Sequence, residues 1–475
     1  MLSRFQRYAC LLCLVLFCLS LQAQNKNGIS QWITNPDRSQ LFQLQPGALP
    51  FSGAPGGQPV IDVDDSKTFQ SVDGFGFALT GGSAMHIIQM SPAARTALLK
   101  EFFNPDGTNI GISYLRLSIG ASDLNERVFS YDDVPAGETD TAMAKFDLGP
   151  DRKDVIPVMK EILAIAPSIK ILGSPWSPPA WMKTNNDTRG GRLKPEYYKA
   201  YAKYFVKYIQ GMKAAGITID AITVQNEPLH PGNNPSVLMV APDQADFVKN
   251  FLGPAFQAAH IKTKILIYDH NADRPDYPIS ILDDPAARKY IDGSAFHLYG
   301  GTIDALSDVH AAHPDKNIYF SEQMVVDFGR GRTVNTTTMN ISSPVQRLLV
   351  GAMRNWSKNV IEWNLAADPQ FKPFTDRGGC SSCQGAVTLA GDTVTRNIAY
   401  YSIAHASKLV RPGSKRIAST ENDSLANVAF RTPAGKKVLI VTNTGKTPQT
   451  FGIRYKNKSA TATLNAGAAA TYSWD

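Results

Sequence analysis

Two glutamates stand at the ends of apolar segments that lie far apart in the chain. Glu227 closes the segment AITVQNEP, and Glu322 closes the segment NIYFSEQ. A single carboxyl group in such a place is often just solvated at the start of a loop. Two of them facing across one cleft can cleave a glycosidic bond, because one protonates the leaving oxygen while the other attacks the anomeric carbon. The pair raises the hypothesis of a glycosidase, in which Glu227 must be partly desolvated to stay protonated.

Other polar and aromatic residues stand at or just beyond the ends of similar apolar segments. They are Asp123, Trp176, Asn226, His297, Tyr299 and Trp363. Asn226 can hold a sugar 2-hydroxyl, and the face of a Trp ring is a platform for a sugar ring. Each residue alone has a plain structural explanation, such as packing for a Trp or a satisfied buried position for His297. Gathered around two glutamates, they favour a substrate site.

Eight short apolar segments between residues 71 and 405 alternate for the most part with helical patterns. The segments are VDGFGFAL, SYLRLSIG, SIKILGSP, IDAITVQN, TKILIYDH, GSAFHLYG, NIYFSEQ and NVIEWNL. Before the fourth, Tyr198, Tyr201, Phe205 and Tyr208 recur at helical steps and predict one apolar face. Eight strand–helix units predict an α/β fold, the (β/α)₈ or TIM barrel. Its strands end at one active face, where strands four and seven would place Glu227 opposite Glu322.

The chain divides into four predicted parts. Residues 1–23 have Arg4 and Arg7, then an apolar core and a small residue, which predicts a secretory signal peptide cleaved after Ala23. Residues 24–70 have the texture of loops and edge strands. Residues 71–405 form the predicted catalytic barrel. Residues 406–475 alternate apolar and polar positions and predict an antiparallel β-sandwich, to which residues 24–70 contribute strands.

Composition narrows the classes of partner. The 475 residues carry a formal charge of +7 that is spread thinly along the chain. Without a dense basic run, a nucleic-acid partner is not expected. No segment is long and apolar enough to predict an integral membrane helix. We therefore expect a secreted or periplasmic protein whose partner is its substrate, a β-glucoside, a glucan or a glycolipid.

Three local patterns have competing explanations. Cys380 and Cys383 are the cysteines that remain after signal cleavage, and in an oxidising compartment a short-loop disulfide is favoured over a zinc half-site or free thiols. Asp269 and His270 could begin a metal site, but no suitably spaced third ligand follows, so no metal or cofactor is expected. The glycine-rich DGFGFALTGG favours tight packing of the first strand over a phosphate cradle.

These residues carry a resemblance to glycoside hydrolase family 30, which includes lysosomal glucosylceramidases and bacterial β-1,6-glucanases. The matching segments, in the family's order, are DGFGFALTGGSA, YLRLSIGASD, LGSPWSPPAWMKTN, ITVQNEP, FHLYGG, YFSEQ, EWNLAAD and YYSIAHASKLVRPGSKRI. The resemblance implies a barrel with a β-sandwich built from both chain ends and a retaining mechanism. It also implies substrate contacts by Asp123, Trp176, Asn226, His297, Tyr299 and Trp363.

The same resemblance implies Glu227 as acid/base and Glu322 as nucleophile. The sequence departs from the glucosylceramidases at Leu298, at Gln323 and in the cysteine loop GGCSSCQG. Three functions therefore compete. The first is a secreted retaining β-glucosidase of glucosylceramidase-like preference. The second is an endo-β-1,6-glucanase with the same chemistry. The third is a non-catalytic carbohydrate-binding barrel, which the presence of both glutamates disfavours.

Overall fold

The computed structural model describes residues 28–52, 56–329 and 334–475. The predicted signal peptide, residues 1–23, lies outside the described residues and stays a prediction. Within the described part of the chain, no helix is long and apolar enough to cross a membrane.

Eight parallel strands close into one barrel, which confirms the predicted fold class. In chain order they are Gly74–Leu79, Tyr114–Ile119, Lys170–Pro175, Ala221–Thr223, Lys264–Ala272, Ile291–Gly301, Asn317–Glu322 and Ser357–Asn364. The eighth pairs with the first, as Val360 with Phe75, and this pairing closes the barrel. Each of the eight predicted apolar segments thus overlaps a barrel strand.

The barrel interior changes character along its axis. Seven strands contribute an apolar layer low in the barrel, made of Tyr114, Leu172, Ala221, Leu266, Ala295, Tyr319 and Ile361. Two residues further along the second and third strands, the next side chains on the same face are Arg116 and Ser174. Because side chains alternate along a strand, this spacing directs them into the same interior. An apolar floor therefore supports a polar layer near the carboxyl ends of the strands.

Close packing explains Gly76 in the first strand. A Cβ atom there would lie 1.8 Å from the carbonyl oxygen of Tyr114 on the neighbouring strand. No side chain can be accommodated at that distance. This bears out the prediction of tight packing for the glycine-rich segment.

Helices cover the outside of the barrel. The α-helices are Gly81–Gln89, Pro92–Phe103, Val155–Ile165, Tyr198–Ala214, Ala241–Phe247, Gly253–Ala258, Asp276–Leu282, Pro285–Arg288, Ala305–Ala312, Ser342–Pro344, Gly351–Arg354 and Ile398–Ser407. Two π-helical turns, Val248–Leu252 and Val345–Val350, continue these helices, and 3₁₀ turns span Gly149–Arg152, Ala180–Met182 and Pro195–Tyr197. The predicted apolar face of the helix before strand four is buried at all four positions, Tyr198, Tyr201, Phe205 and Tyr208.

A second β domain is built from both ends of the described chain. Its sheet runs in the order Gln43–Leu44, Gly28–Thr34, Ala469–Trp474, Lys437–Asn443, Leu425–Arg431, Lys415–Ser419, Val60–Ser71, Gln449–Tyr455 and Lys458–Leu464, with Leu49–Pro50 also on Gly28–Thr34. The pairings are antiparallel except one, in which Gln449–Tyr455 runs parallel to Val60–Ser71. The long strand Val60–Ser71 lies between two others, so it is an interior strand and not the edge strand expected there.

The segment after the eighth barrel strand forms a feature that the sequence pattern did not predict. Ala366–Ala367, Val387–Ala390 and Thr393–Arg396 make a small three-stranded sheet. Between its first two strands, residues 368–386 run without helix or strand. This loop carries Cys380 and Cys383, which form a disulfide as predicted.

His405 joins the barrel to the β domain. The ring is buried on the last barrel helix, and its nitrogens lie 2.9 Å from the hydroxyls of Thr34 and Thr471. Thr471 donates its proton to the His405 carbonyl, so it accepts from Nδ1–H, and Nε2 accepts from Thr34. A neutral His405 ring with its proton on Nδ1 therefore makes both hydrogen bonds, one as donor and one as acceptor. Burial lowers the pKa of His405 to about 3.

We expect His405 to make the protein sensitive to mild acid. Its ordinary pKa is 6.5. Below that pH the unfolded chain binds a proton that the folded chain does not bind until the pH approaches 3. Stability is therefore unaffected by this group at pH 7 and falls by about 2 kcal/mol by pH 5. The midpoint of urea unfolding at both pH values, in the native protein and in His405→Gln, measures this.

In this comparison the variant should lose less stability than the native protein between the two pH values. The exposed His260, replaced by Asn, is the matched control, and it should behave like the native protein. Equal acid sensitivity in His405→Gln and the native protein would contradict the assignment.

Candidate active site

The predicted site residues meet at the carboxyl ends of the barrel strands. Asp123, Trp176, Asn226, Glu227, Tyr299, Glu322 and Trp363 line one cavity of about 270 Å³, together with His230, Asn233, His270, Asn271, Met324, Cys380 and Cys383. His297 lies behind this lining and contacts Glu227. A larger cavity of about 600 Å³ opens at the opposite mouth of the barrel and contains none of the predicted site residues. We place the site at the smaller cavity because the paired carboxylates are there.

The two glutamates face each other at short range. An oxygen of Glu227, an oxygen of Glu322 and a ring nitrogen of His297 all lie within 4.8 Å of one another. Retaining glycosidases hold their two carboxyl groups about 5–5.5 Å apart, whereas inverting enzymes leave room for a water at about 6.5–9.5 Å. The facing oxygens in this cavity are closer together than the carboxyl groups of inverting enzymes.

Arg116 binds the carboxylates and amides of the site from below. Its guanidinium donates to Glu322, to Asn226 Oδ1 at 2.7 Å and to Asp269 Oδ2 at 2.8 Å, while Nε donates to Ser174 Oγ at 3.1 Å. The residue is 1% exposed. Because Asn226 accepts from Arg116 through its oxygen, its NH₂ group is left as a donor toward the cavity.

Two tryptophans pack together beside this guanidinium. The rings of Trp176 and Trp363 lie 5.4 Å apart, and the Arg116 guanidinium carbon lies 4.9 Å from the first ring centre and 5.8 Å from the second. Cation–π attraction of this kind stabilises a buried charge. The tryptophans thus form part of the cavity wall and also help to bury Arg116.

Tyr299 orients Glu322. Its hydroxyl donates to Glu322 Oε1 at 3.0 Å and accepts from the backbone N–H of Met324 at 2.9 Å. With Arg116 on the other oxygen, both carboxylate oxygens of Glu322 have donors. Glu322 is therefore held in a single orientation.

Glu227 is presented by an unusual backbone turn. Its φ is +44°, in the left-handed region that costs a non-glycine residue of order 1–3 kcal/mol. The backbone N–H of Glu227 donates to the Asp269 carbonyl at 2.9 Å, and Pro228 follows directly. Asn233 donates to Oε2 at 3.3 Å. This turn directs the carboxyl group toward the cavity after a strand that ends at Thr223.

His297 is held between carboxylates. Nδ1 lies 3.3 Å from Glu227 Oε1 and 3.9 Å from Glu322 Oε1, and Nε2 lies 3.1 Å from Asp269 Oδ1. Burial opposes its protonation, but the charges of Glu322, Asp269 and Glu227 outweigh that cost and raise the pKa of His297 to about 9. Both ring nitrogens face acceptors, so the ring is an imidazolium at neutral pH.

The carboxyl groups of the cavity differ in protonation. Burial and the charges of Glu322 and Glu227 raise the pKa of Asp123 to about 8, so Asp123 is a neutral acid at pH 7. Burial raises the pKa of Glu322, with Arg116 and His297 opposing the rise. Burial acts in the same direction on Glu227, but the hydrogen bond to His297 and the charge of that ring lower its pKa.

The metal hypotheses do not fit these contacts. Glu227, His297 and Glu322 have metal-like spacing. However, the protonated His297 has no free lone pair, and Arg116 already supplies a cation to Glu322. Asp269, the first member of the other candidate pair, is occupied by Arg116, His297, Thr223 and Ser321.

The sequence pattern alone gave Arg116 no role in the site and considered Asp269 only as a candidate metal ligand. Both are fully buried, and they form the ion pair that supports the site. A signal was present, since Arg116 is the one charged residue in the apolar segment SYLRLSIG and falls at an inward-facing position. A buried charge within an apolar strand requires a partner.

A closed (β/α)₈ barrel with two facing glutamates at its carboxyl end is the architecture of a glycoside hydrolase. Family comparison agrees. Residues 72–410 match the glycosyl hydrolase family 30 TIM-barrel domain, and residues 413–472 match the glycosyl hydrolase family 30 beta sandwich domain. The chain belongs to this family, which confirms the family predicted from the sequence.

The curated relatives include endo-1,6-beta-D-glucanases and glucosylceramidases. The endo-1,6-beta-D-glucanase neg1 of Aspergillus fumigatus is 33% identical over 434 residues, covering 85% of this chain and 86% of that protein. The lysosomal acid glucosylceramidase of Mus musculus is 29% identical over 428 residues, covering 86% and 81%. Among solved structures, the endo-beta1,6-glucanase BT3312 matches with a TM-score of 0.85 and 33% identity, covering 94% of this chain and 99% of that one.

Replacing Arg116 by Lys should strongly reduce activity and leave the fold intact. Lysine keeps the charge but cannot reach Glu322, Asn226 and Asp269 together. Misplacing catalytic groups by about 1 Å can cost on the order of 100-fold in rate, so we expect a loss of that size in kcat/KM. Steady-state kinetics with an aryl β-glucoside measure it, and circular dichroism checks folding.

Arg95→Lys is the control, because Arg95 pairs with Glu161 on the outer helices. It should leave kcat/KM unchanged. Full activity in Arg116→Lys would show that the three contacts do not position the glutamates.

Proposed function

We propose that this protein is a secreted, retaining glycosidase that cleaves the β-1,6 bonds of glucan. The observation that carries the proposal is the separation of the two carboxylates, within 4.8 Å, at the carboxyl end of the barrel. That spacing suits a double displacement. The predicted signal segment in residues 1–23 supports secretion.

Glu322 is the nucleophile in this proposal. It attacks the anomeric carbon as the bond to the leaving oxygen breaks, and a glycosyl-enzyme ester forms. Glu227 gives its proton to that oxygen and then takes a proton from the water that hydrolyses the ester. Arg116 and Tyr299 support this assignment because they stabilise the anion of Glu322 and fix its direction.

The proton for the first step is stored on His297. The lowered pKa of Glu227 and the raised pKa of Glu322, taken alone, would favour the opposite roles. The position of the imidazolium supports Glu227 as the acid, because Nδ1 is closer to Glu227, at 3.3 Å, than to Glu322, at 3.9 Å. The proton passes from His297 Nδ1 through the Glu227 carboxyl group to the leaving oxygen, which leaves His297 neutral and Glu227 as the carboxylate that the second step needs as its base. The two groups then act as one acid.

The surroundings of Glu227 favour a sugar as the leaving group. If Glu227 is the acid, the residues beside it contact the leaving half of the substrate. Those residues are His230, Asn233 and His270, which influence or bond its carboxyl group, and Asn271, which lines the cavity with them. Such side chains hydrogen-bond hydroxyl groups, whereas the lipid part of a glucosylceramide would be matched by an apolar wall.

The relatives point the same way. The curated relatives at 33% identity include two endo-1,6-beta-D-glucanases, those of Aspergillus fumigatus and Neurospora crassa. The mouse glucosylceramidase stands at 29%. We therefore place β-1,6-glucan ahead of glucosylceramide, and internal cleavage ahead of release of single terminal sugars.

Azide should distinguish the roles of the two glutamates. In Glu227→Ala an activated aryl β-glucoside still forms the glycosyl-enzyme, because a nitrophenolate leaves without protonation, but the second step lacks its base. Azide needs no deprotonation and fits the vacated space. It should restore turnover and give the β-glycosyl azide, which product analysis by NMR identifies.

The matched variant is Glu322→Ala, which removes the nucleophile. It should lose activity on every substrate, and azide should not give the β-product. If Glu322→Ala gave the β-azide and Glu227→Ala gave an α-azide, the two roles would be exchanged.

A substrate panel tests the proposed specificity. β-1,6-glucan, an aryl β-glucoside, glucosylceramide and xylan are incubated with the same enzyme, and the products are resolved by chromatography. We expect β-1,6-linked oligosaccharides from the glucan as early products, with much slower release from glucosylceramide. Faster cleavage of glucosylceramide than of glucan would reverse the ranking, and cleavage of no β-glucoside would refute the proposal.

A further inference from the structure

The loop that carries the disulfide forms part of the sugar cavity. Residues 368–386 have neither helix nor strand, and Cys380 and Cys383 within this loop both line the cavity that contains Glu227 and Glu322. The two cysteines are bonded across a separation of three residues. The disulfide is thus in direct reach of a bound sugar.

The loop packs against one half of the cavity. Cys383 is 5% exposed and belongs to a cluster with Trp176, Trp363 and Leu124. Cys380 packs against the same cluster, and its backbone N–H interacts with the carboxyl group of Asp123. The disulfide therefore packs in the cluster that contains Trp176 and Trp363, here called the tryptophan wall, while the backbone of Cys380 contacts the acid of Asp123.

Both ends of the loop are anchored. The Thr375 hydroxyl donates to the Asn234 carbonyl, and its backbone N–H donates to the Asp123 carbonyl at 2.9 Å. At the other end, the carbonyl of Gly385 accepts from Asn397 at 2.8 Å. The disulfide cross-links the turn between these anchors. The disulfide adds little to the stability of the whole fold because the loop that it closes is short. Its main effect is to restrict the movement of the loop segment that lines the cavity.

The wall lies on the side of the cavity where the sugar to be transferred must sit. The charges of both glutamates raise the pKa of Asp123, and Glu322 has the larger effect. The two rings of the tryptophan wall pack against the guanidinium of Arg116, and this guanidinium donates a hydrogen bond to Glu322. If Glu322 attacks the anomeric carbon, these residues surround the glycone, and the polar residues beside Glu227 surround the leaving group.

We propose that the Cys380–Cys383 disulfide is a positioning element for the glycone, holding the loop as a rigid wall against Asp123 and the tryptophan pair. The inference rests on the proposed function. The neutral Asp123 acid, with one O–H donor and a carbonyl acceptor, can bond a sugar hydroxyl in a fixed direction. If the loop were free to move, neither the Asp123 acid nor the face of Trp363 would be held in a fixed position against the sugar.

The test replaces both cysteines, as Cys380→Ser with Cys383→Ser, with Ser381→Ala as the matched control on the exposed side of the same loop. Two substrates share a glucosyl unit and differ in leaving group, an aryl β-glucoside and a β-1,6-linked gluco-oligosaccharide. We expect KM to rise about tenfold for both in the double variant, with kcat within about threefold, as for lost binding of the shared unit. The temperature of unfolding should remain close to that of the native protein.

A second measurement tests the inference even if the double variant does not fold. The folded native enzyme is reduced, its thiols are alkylated, and KM is measured again, with the expectation of the same rise. An unchanged KM in both preparations would overturn the inference. A rise for the oligosaccharide alone would also overturn it, since the wall would then serve the leaving group.

The proposed function can fail separately. If the native enzyme cleaves no β-glucoside, that function is wrong. Calorimetric titration with glucose, comparing the native protein with the double variant, then tests the disulfide by itself. Equal affinity in the two would overturn the inference, and weaker binding by the variant would support it.

Discussion

The site depends on the burial of one guanidinium. Arg116 is almost completely removed from water, and a buried charge without partners is prohibitively costly. It obtains carboxylate partners from the fifth and seventh strands, Asp269 and Glu322, and an amide partner from Asn226 after the fourth. Because one planar group bonds all three, their relative positions are set by its geometry.

Asp269 serves as the permanent counter-charge. Burial disfavours the ionised form of Asp269, but Arg116 keeps the pKa of this carboxyl group well below its usual range. Thr223, Ser321 and His297 form the other hydrogen bonds to the carboxylate. Asp269 therefore remains ionised whatever happens to the glutamates. In the proposed mechanism, Arg116 can then retain its charge while Glu322 changes between a carboxylate and an ester, as a double displacement requires.

The sequence predicted the parts of this protein that follow a local rule. Strand–helix alternation identified the eight barrel strands, and placement at strand ends predicted that Glu227 and Glu322 would face one cavity. The parts that it missed depend on contacts between distant segments. Whether Val60–Ser71 is an edge or interior strand depends on partners near the other end of the chain, and local alternation cannot show this. The role of Asp269 likewise appears only when the second strand brings Arg116 to it.

The β domain has a consequence for the order in which the chain can fold. Gly28–Thr34 pairs with Ala469–Trp474, and Ser30 lies opposite Ser473. During synthesis the first strands therefore emerge long before their partners exist. The barrel can form in the meantime, but the sheet beside it is completed only when the last residues are free. The strand Ala469–Trp474 thus joins the sheet after its partners have formed. A chain that lacks this strand would be left with an open sheet edge able to pair with other chains.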